Sequence, residues 1–172
     1  MIIGNKQAVE NAGCSGVFNC QFIEIASDFK TSHAVQSPRV EGCCFDGVDV
    51  GIYLEMQRVS FDPETLVFRN NIVIPTKTND GSIGIAVSSQ VPSGIRSAFV
   101  VGNEIRFKGG GEGSNRSTAP RGFSFNRVKR LVLTNNMVTM YRNAPKKEIE
   151  MANVSDYVMS GNYRSDGNLI RP

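Results

Sequence analysis

Tryptophan is absent from this sequence of 172 residues, and histidine occurs once, at His33. A single imidazole excludes a multi-histidine zinc site, and no Ser-His-Asp arrangement is suggested around it. The four cysteines, Cys14, Cys20, Cys43 and Cys44, all fall in the first third and show no CxxC spacing. That is neither a zinc pattern nor a disulfide framework, and the thiols read as small buried side chains in a reducing compartment. No stretch approaches the roughly 18 apolar residues that cross a bilayer as a helix, so no membrane partner is expected. The opening Met1-Ile2-Ile3-Gly4-Asn5 has no basic region followed by an apolar one, so no signal peptide is seen. A net charge of +3 is too small to indicate nucleic acid or a membrane surface by itself. The glycine-rich run from Lys108 to Ser114 lacks the Gly-Lys-Ser/Thr ending of a phosphate-binding loop. Apolar residues at i, i+3, i+4 and i+7 are also missing, which argues against a helix-rich fold.

What remains is rich in Val, Ile, Phe and Met, which suit strands, and it repeats. An apolar residue, two positions, a small or amide residue, one position and a second apolar residue recur six times. The copies begin at Val17, Val40, Val67, Val100, Val132 and Val158. Their fourth positions are Cys20, Cys43, Asn70, Asn103, Asn135 and Gly161, which puts roughly 23 to 33 residues in each repeat. Solenoid coils with loops of variable length look like this. A second strand with period-two alternation precedes the marker, as in Val50–Met56, Ile83–Val87, Phe123–Phe125 and Ile149–Met151. Its outward positions are read as Asp49, Gly51, Tyr53 and Glu55, then Gly84, Ala86 and Ser88, Ser124 and Asn126, and Glu150 and Ala152. Stacked at the strand spacing of about 4.8 Å, Asn70, Asn103 and Asn135 would be rungs of a buried amide ladder. Cys20 and Cys43 would fill its start and Gly161 would end it.

This coil periodicity resembles the right-handed parallel β-helix superfamily, which includes pectate-lyase-like enzymes and bacteriophage tailspikes. The resemblance covers about residues 8 to 165 and implies an all-β, right-handed parallel β-helix of about six coils. The domain expected is a single unit over residues 1–172, a segment of a larger protein or assembly. The family implies long carbohydrates as ligands, so a polysaccharide or host-surface glycan is the expected partner. Asp46 and Asp49, with Arg39 nearby, are the best candidates for catalytic residues of a polysaccharide lyase. Calcium stays open as a cofactor, but two aspartates fall short of the six to eight oxygen ligands it takes. Glu55 and Glu150, about three coils or 14 Å apart, are too distant for the carboxylate pair of a glycoside hydrolase. Tyr53 and Glu55 are candidate glycan contacts. Arg127, Lys129 and Arg130 form a basic segment, with Arg121 before it, that suits an anionic polymer. Phe123 and Phe125 within that segment fall at core phase, so nucleic acid is not the expected partner. Residues 1 to 12 show no amphipathic helix and Ser165–Pro172 reads as a short tail, which leaves strand edges to be covered by the rest of a longer protein or by other subunits. The leading expectation is a structural or glycan-contacting module of a virion appendage such as a phage tailspike, a homotrimer located on the virion or outside the cell. A pectate-lyase-like enzyme and an anionic-polymer binding module are the alternatives, and whether the chain is an enzyme stays open.

Overall fold

The structure, a computed structural model, describes residues 2–3, 7–10, 16–19, 21–23, 27–31, 39–48, 50–56, 65–75, 83–107, 121–139 and 148–171. All regular structure among these residues is strand. The strands fall into three sheets that the chain visits in strict rotation. Sheet A contains seven strands, Ile2–Ile3, Gln21–Ile23, Cys44–Val48, Ile72–Pro75, Glu104–Arg106, Met137–Thr139 and Tyr163–Arg164. Sheet B contains six, Gln7–Glu10, Ser27–Thr31, Val50–Met56, Ile83–Ser89, Arg121–Asn126 and Ile149–Ala152. Sheet C contains the other six, Gly16–Phe18, Arg39–Glu41, Leu66–Arg69, Ile95–Val101, Val128–Thr134 and Asp156–Ser160. Every pairing between these strands is parallel, and each joins one circuit to the next. This is the organisation of a parallel β-solenoid.

Apolar residues of like position stack along its axis because equivalent residues of successive coils lie one strand spacing apart, about 4.8 Å. Phe45, Val73, Ile105 and Val138 form the column of sheet A. Ile52, Ile85, Phe123 and Ile149 form one in sheet B, with Leu54, Val87, Phe125 and Met151 beside it. Phe68, Val100, Leu133 and Met159 close the core from sheet C. All of these are buried except Met151 and Met159, which pack against the core from the last coil.

Glycines stack where sheets A and B converge. A Cβ on Gly84 would sit 2.6 Å from Ile105 Cδ1 and 2.7 Å from the carbonyl of Gly122. Gly51 meets Val73 in the same way. Gly51 and Gly84 therefore face the core and not solvent, contrary to the alternation expected from the sequence. No side chain fits there because sheet A already fills the space.

The turn from sheet C to sheet A carries the amide ladder, one residue out of the expected frame in three coils. Its rungs are Asn71, Asn103, Asn136 and Asn162, preceded by Cys43, and each of these is buried. Asn71 Oδ1 accepts the backbone N–H of Cys43 at 3.0 Å, and Asn103 Oδ1 accepts that of Asn71 at 3.1 Å. Asn136 and Asn162 repeat the bond at 2.9 and 3.1 Å. Each side-chain N–H₂ donates to the next rung's Oδ1, at 2.9 to 3.0 Å, where a next rung exists. Its other hydrogen goes to a carbonyl of the preceding coil, those of Val40, Phe68, Val100 and Leu133. The ladder thus satisfies buried backbone groups that the bend takes out of the sheets.

Asn70, Asn135 and Gly161, expected as members of the ladder, hold another post. They belong to the column just before it, Asn19, Gly42, Asn70, Gly102, Asn135 and Gly161, all left-handed with φ between 52° and 67°. Asn and Gly alternate along this column for a steric reason. Asn70 Oδ1 lies 2.5 Å from where a Cβ on Gly102 would be, and Asn19 and Asn135 stand the same way against Gly42 and Gly161. An amide in one coil therefore requires a bare Cα in the next. Because strand faces alternate, the one-residue correction also turns side chains over. Phe68, Leu133 and Met159 point inward, and Val67, Val132 and Val158 point out.

The C-terminal residues do more than trail away. Arg164, Asn168 and Gly167 close a tight reversal through Arg164 N–H to Asn168 O at 2.8 Å and Gly167 N–H to Arg164 O at 2.9 Å. Leu169 then bridges Tyr163 in antiparallel sense, and Ile170 N–H reaches Asn162 O. This brings Ile170, 5% exposed, into the core. The reversal covers the last strand of sheet A. In the last strand of sheet C, Tyr157, at a core-facing position, is 48% exposed. Beside the reversal, Arg164 Nε pairs with the buried Glu148 at 2.6 Å.

Candidate functional site

The outer surfaces of the three sheets are the places where a solenoid can present function, and their columns follow from the register. On sheet B, Tyr53 aligns with Ala86, Ser124 and Glu150, and Glu55 aligns with Ser88, Asn126 and Ala152. Positions 53 and 55 thus belong to neighbouring columns of the register. Glu55 and Glu150 are three coils and one column apart, well beyond the reach of a carboxylate dyad. Glu150 is engaged by Arg121 Nε at 3.0 Å and by Ser124 Oγ at 3.5 Å.

Arg39 and Asp46 are not gathered on one face. Arg39 lies in sheet C, where its Nη1 stands 3.9 Å from Glu41 Oε1. Asp46 lies beyond the Gly42–Cys43 turn in sheet A, aligned with Ile23 and Ile74. Asp49 lies outside the described residues. Among the described residues, no three His, Cys, Asp or Glu side chains come together as a metal site would require. Likewise, no helix among them is long and apolar enough to cross a membrane.

The basic segment is divided by the fold. Arg121 belongs to sheet B and is tied to Glu150. Arg127 forms the bend into sheet C, with φ 56°, and its Nη1 donates to the carbonyl of Gln90 at 2.9 Å. Lys129 and Arg130 are exposed at the start of the following strand, where Arg130 aligns with Ser97 and Asp156. Phe123 and Phe125 are buried, as their phase required, with parallel rings 6.4 Å apart between centroids.

Two features of the surface were missed in the sequence. The first is an apolar stripe on the outside of sheet C, formed by Val67, Phe99, Val132 and Val158 in register across four coils. Its signal was present. Each member is the middle of three consecutive apolar residues, such as Ala98-Phe99-Val100 or Leu131-Val132-Leu133. In a strand the middle one must face away from its neighbours. The second is an open cleft of about 350 Å³ at the corner between sheets B and C, which takes in Arg127 and Lys129 but not Arg130.

Searches against family models, curated proteins and solved structures find no match for this chain.

Proposed function

We propose that the chain is a right-handed parallel β-helix module of a virion appendage of the tailspike kind, a rigid element that packs against other copies and contacts glycan. The observation that carries the reading is the stripe of Val67, Phe99, Val132 and Val158 on the outside of sheet C. A row of apolar side chains in register along the outside of a sheet is the kind of contiguous patch that marks an interaction surface. Neighbouring copies that cover it side by side would form the homotrimer that the resemblance to tailspikes implies. Three continuous parallel sheets and a ladder of paired amides supply the stiffness an appendage needs. Tyr53, Ser124, Asn126 and Glu150 on sheet B add a polar strip with an aromatic ring, suited to lie against a sugar chain.

Size-exclusion chromatography with light scattering tests the assembly. The chain should run as an oligomer at micromolar concentration, and Phe99→Lys should release monomers with an unchanged far-ultraviolet circular dichroism spectrum. A wild-type chain that stays monomeric over a hundredfold concentration range would overturn the reading. The lyase alternative draws no support from the placement of Arg39 and Asp46 on different sheets.

A further inference from the structure

The corner cleft is built from three successive coils. The turn Pro92-Ser93-Gly94 forms one side, Arg127 to Lys129 the middle, and Asn153 and Ser155 the other side. Gly94, Arg127 and Asn153 occupy equivalent bends, all left-handed, at φ 69°, 56° and 54°. Glycine and asparagine enter that region readily, whereas arginine does so at a cost. A residue held in such a geometry against its preference points to a role for its side chain. The backbone around Arg127 fixes the bend, since its N–H donates to Ala152 O and its carbonyl accepts from Ile95 N–H. Its guanidinium is anchored by the bond from Nη1 to Gln90 O, which spends one of its N–H donors.

The lining is chemically one-sided. Among the described residues it contains the cations Arg127 and Lys129, the hydroxyls of Ser93 and Ser155, the amide of Asn153 and no carboxylate. The nearest acid in sequence, Asp156, aligns with Arg130 outside the cleft. No aromatic ring among the described residues lines it either, because Phe123 and Phe125 are in the core. Single-stranded nucleic acid is held by rings on which bases stack, so the lining favours a ligand bearing negative charge and hydroxyl groups. A volume of about 350 Å³ is at the small end for a ligand site. It suits one sugar unit of a chain lying across the corner.

We propose that this cleft is a subsite for one acidic sugar residue. Arg127 and Lys129 hold its sulfate or carboxylate, and Ser93, Asn153 and Ser155 face its hydroxyls. The proposal rests on the glycan-contacting reading given above and adds the charge of the ligand and the place where it is read.

Isothermal titration of the full chain with four probes tests it: a heparin-derived octasaccharide, an oligogalacturonate, a neutral dextran oligosaccharide and oligo(dT). One or both acidic saccharides should bind, and which of them does so separates sulfate from carboxylate. Arg127→Asn and Lys129→Ala should each weaken that binding by roughly tenfold or more. Arg127→Asn should leave the melting temperature at or above that of the wild type, because Asn153 shows that asparagine suits this bend. The loss then cannot be put down to unfolding. Equal binding by Arg127→Asn and wild type would overturn the subsite, as would tighter binding of oligo(dT) than of either saccharide. Binding of the neutral oligosaccharide alone would remove this inference and leave the glycan reading standing. Binding of no saccharide would remove both.

Discussion

Replacing Asn103 by alanine should be among the most damaging single changes this solenoid can suffer without loss of a large apolar side chain. Asn103 is 1% exposed and its side chain makes four hydrogen bonds. Its Oδ1 accepts from Asn71 N–H at 3.1 Å and from Asn71 Nδ2 at 2.9 Å. Its Nδ2 donates to Phe68 O at 2.9 Å and to Asn136 Oδ1 at 3.0 Å. Not all four partners are stranded by the change. Asn71 Nδ2 keeps Val40 O, and Asn136 Oδ1 keeps the backbone N–H of residue 103. Phe68 O keeps the Val101 N–H that the parallel register gives it, so Asn71 N–H is the group left stranded inside the core. A stranded buried group costs about 1–3 kcal/mol and the other lost amide bonds add about 1 kcal/mol, so Asn103→Ala should cost about 3 kcal/mol in all. Against the usual total of about 5–15 kcal/mol, that is a large fraction. Urea denaturation followed by circular dichroism reads it, with Glu104→Ala, one residue along on the outer face, as a control within about 1 kcal/mol of wild type. A loss below about 1 kcal/mol for Asn103→Ala would refute the claim that the ladder satisfies otherwise stranded groups.

Two more expectations follow from the turns. Gly102→Ala should destabilise by about 1–3 kcal/mol, through its left-handed φ and its collision with Asn70 Oδ1; Asn70→Gly should recover part of the loss in a double-mutant cycle, and strict additivity would contradict the steric origin of the alternation. At the C-terminal reversal, the Asp166 carboxylate accepts from the backbone N–H and side-chain Nδ2 of Asn168, both at 2.9 Å, which holds its pKa below the ordinary carboxylate value. A lowered folded pKa means that its contribution is full above the unfolded value of about 3.9 and is lost as pH falls through the folded one. The Asn168 amide should therefore lose hydrogen-exchange protection below about pH 4 unless Asp166 is replaced by Asn; protection that does not change with pH would contradict this.

The coil number and the presence of an amide ladder were legible in the sequence, because apolar flanks recur with the same phase around each turn. The frame was legible only where the two turn positions differ in kind. Gly102-Asn103 and Gly42-Cys43 can be placed in one way, since glycine takes the left-handed post and its successor the buried one. Asn70-Asn71 and Asn135-Asn136 offer asparagine at both posts, and asparagine suits either. Choosing the first of each pair moves the frame by one residue, and so hides that Val67 and Val132 face out. The alternation of Asn and Gly from Asn19 to Gly161 was the clue that would have settled it. The corner cleft was legible only in part. Arg127 and Lys129 stood out as basic residues, but their union with Ser93 and Asn153, and their separation from Arg130, depend on which coils adjoin. Loops of unequal length conceal that from the sequence. The tail was misread for a similar reason, since Leu169-Ile170 is only a short apolar pair in a polar stretch, and the bridge of Leu169 to Tyr163 and the bond of Ile170 to Asn162 bring Ile170 inside.

Nuclear Overhauser contacts among the asparagine side-chain amides test the central claim, that buried amides register the coils, most directly. A ladder in the frame described here gives cross-peaks linking Asn71 to Asn103, Asn103 to Asn136 and Asn136 to Asn162, with their side-chain amide protons protected from exchange. Rapidly exchanging side-chain amides at these four residues, or cross-peaks that place Asn70 and Asn135 in the ladder instead, would contradict it.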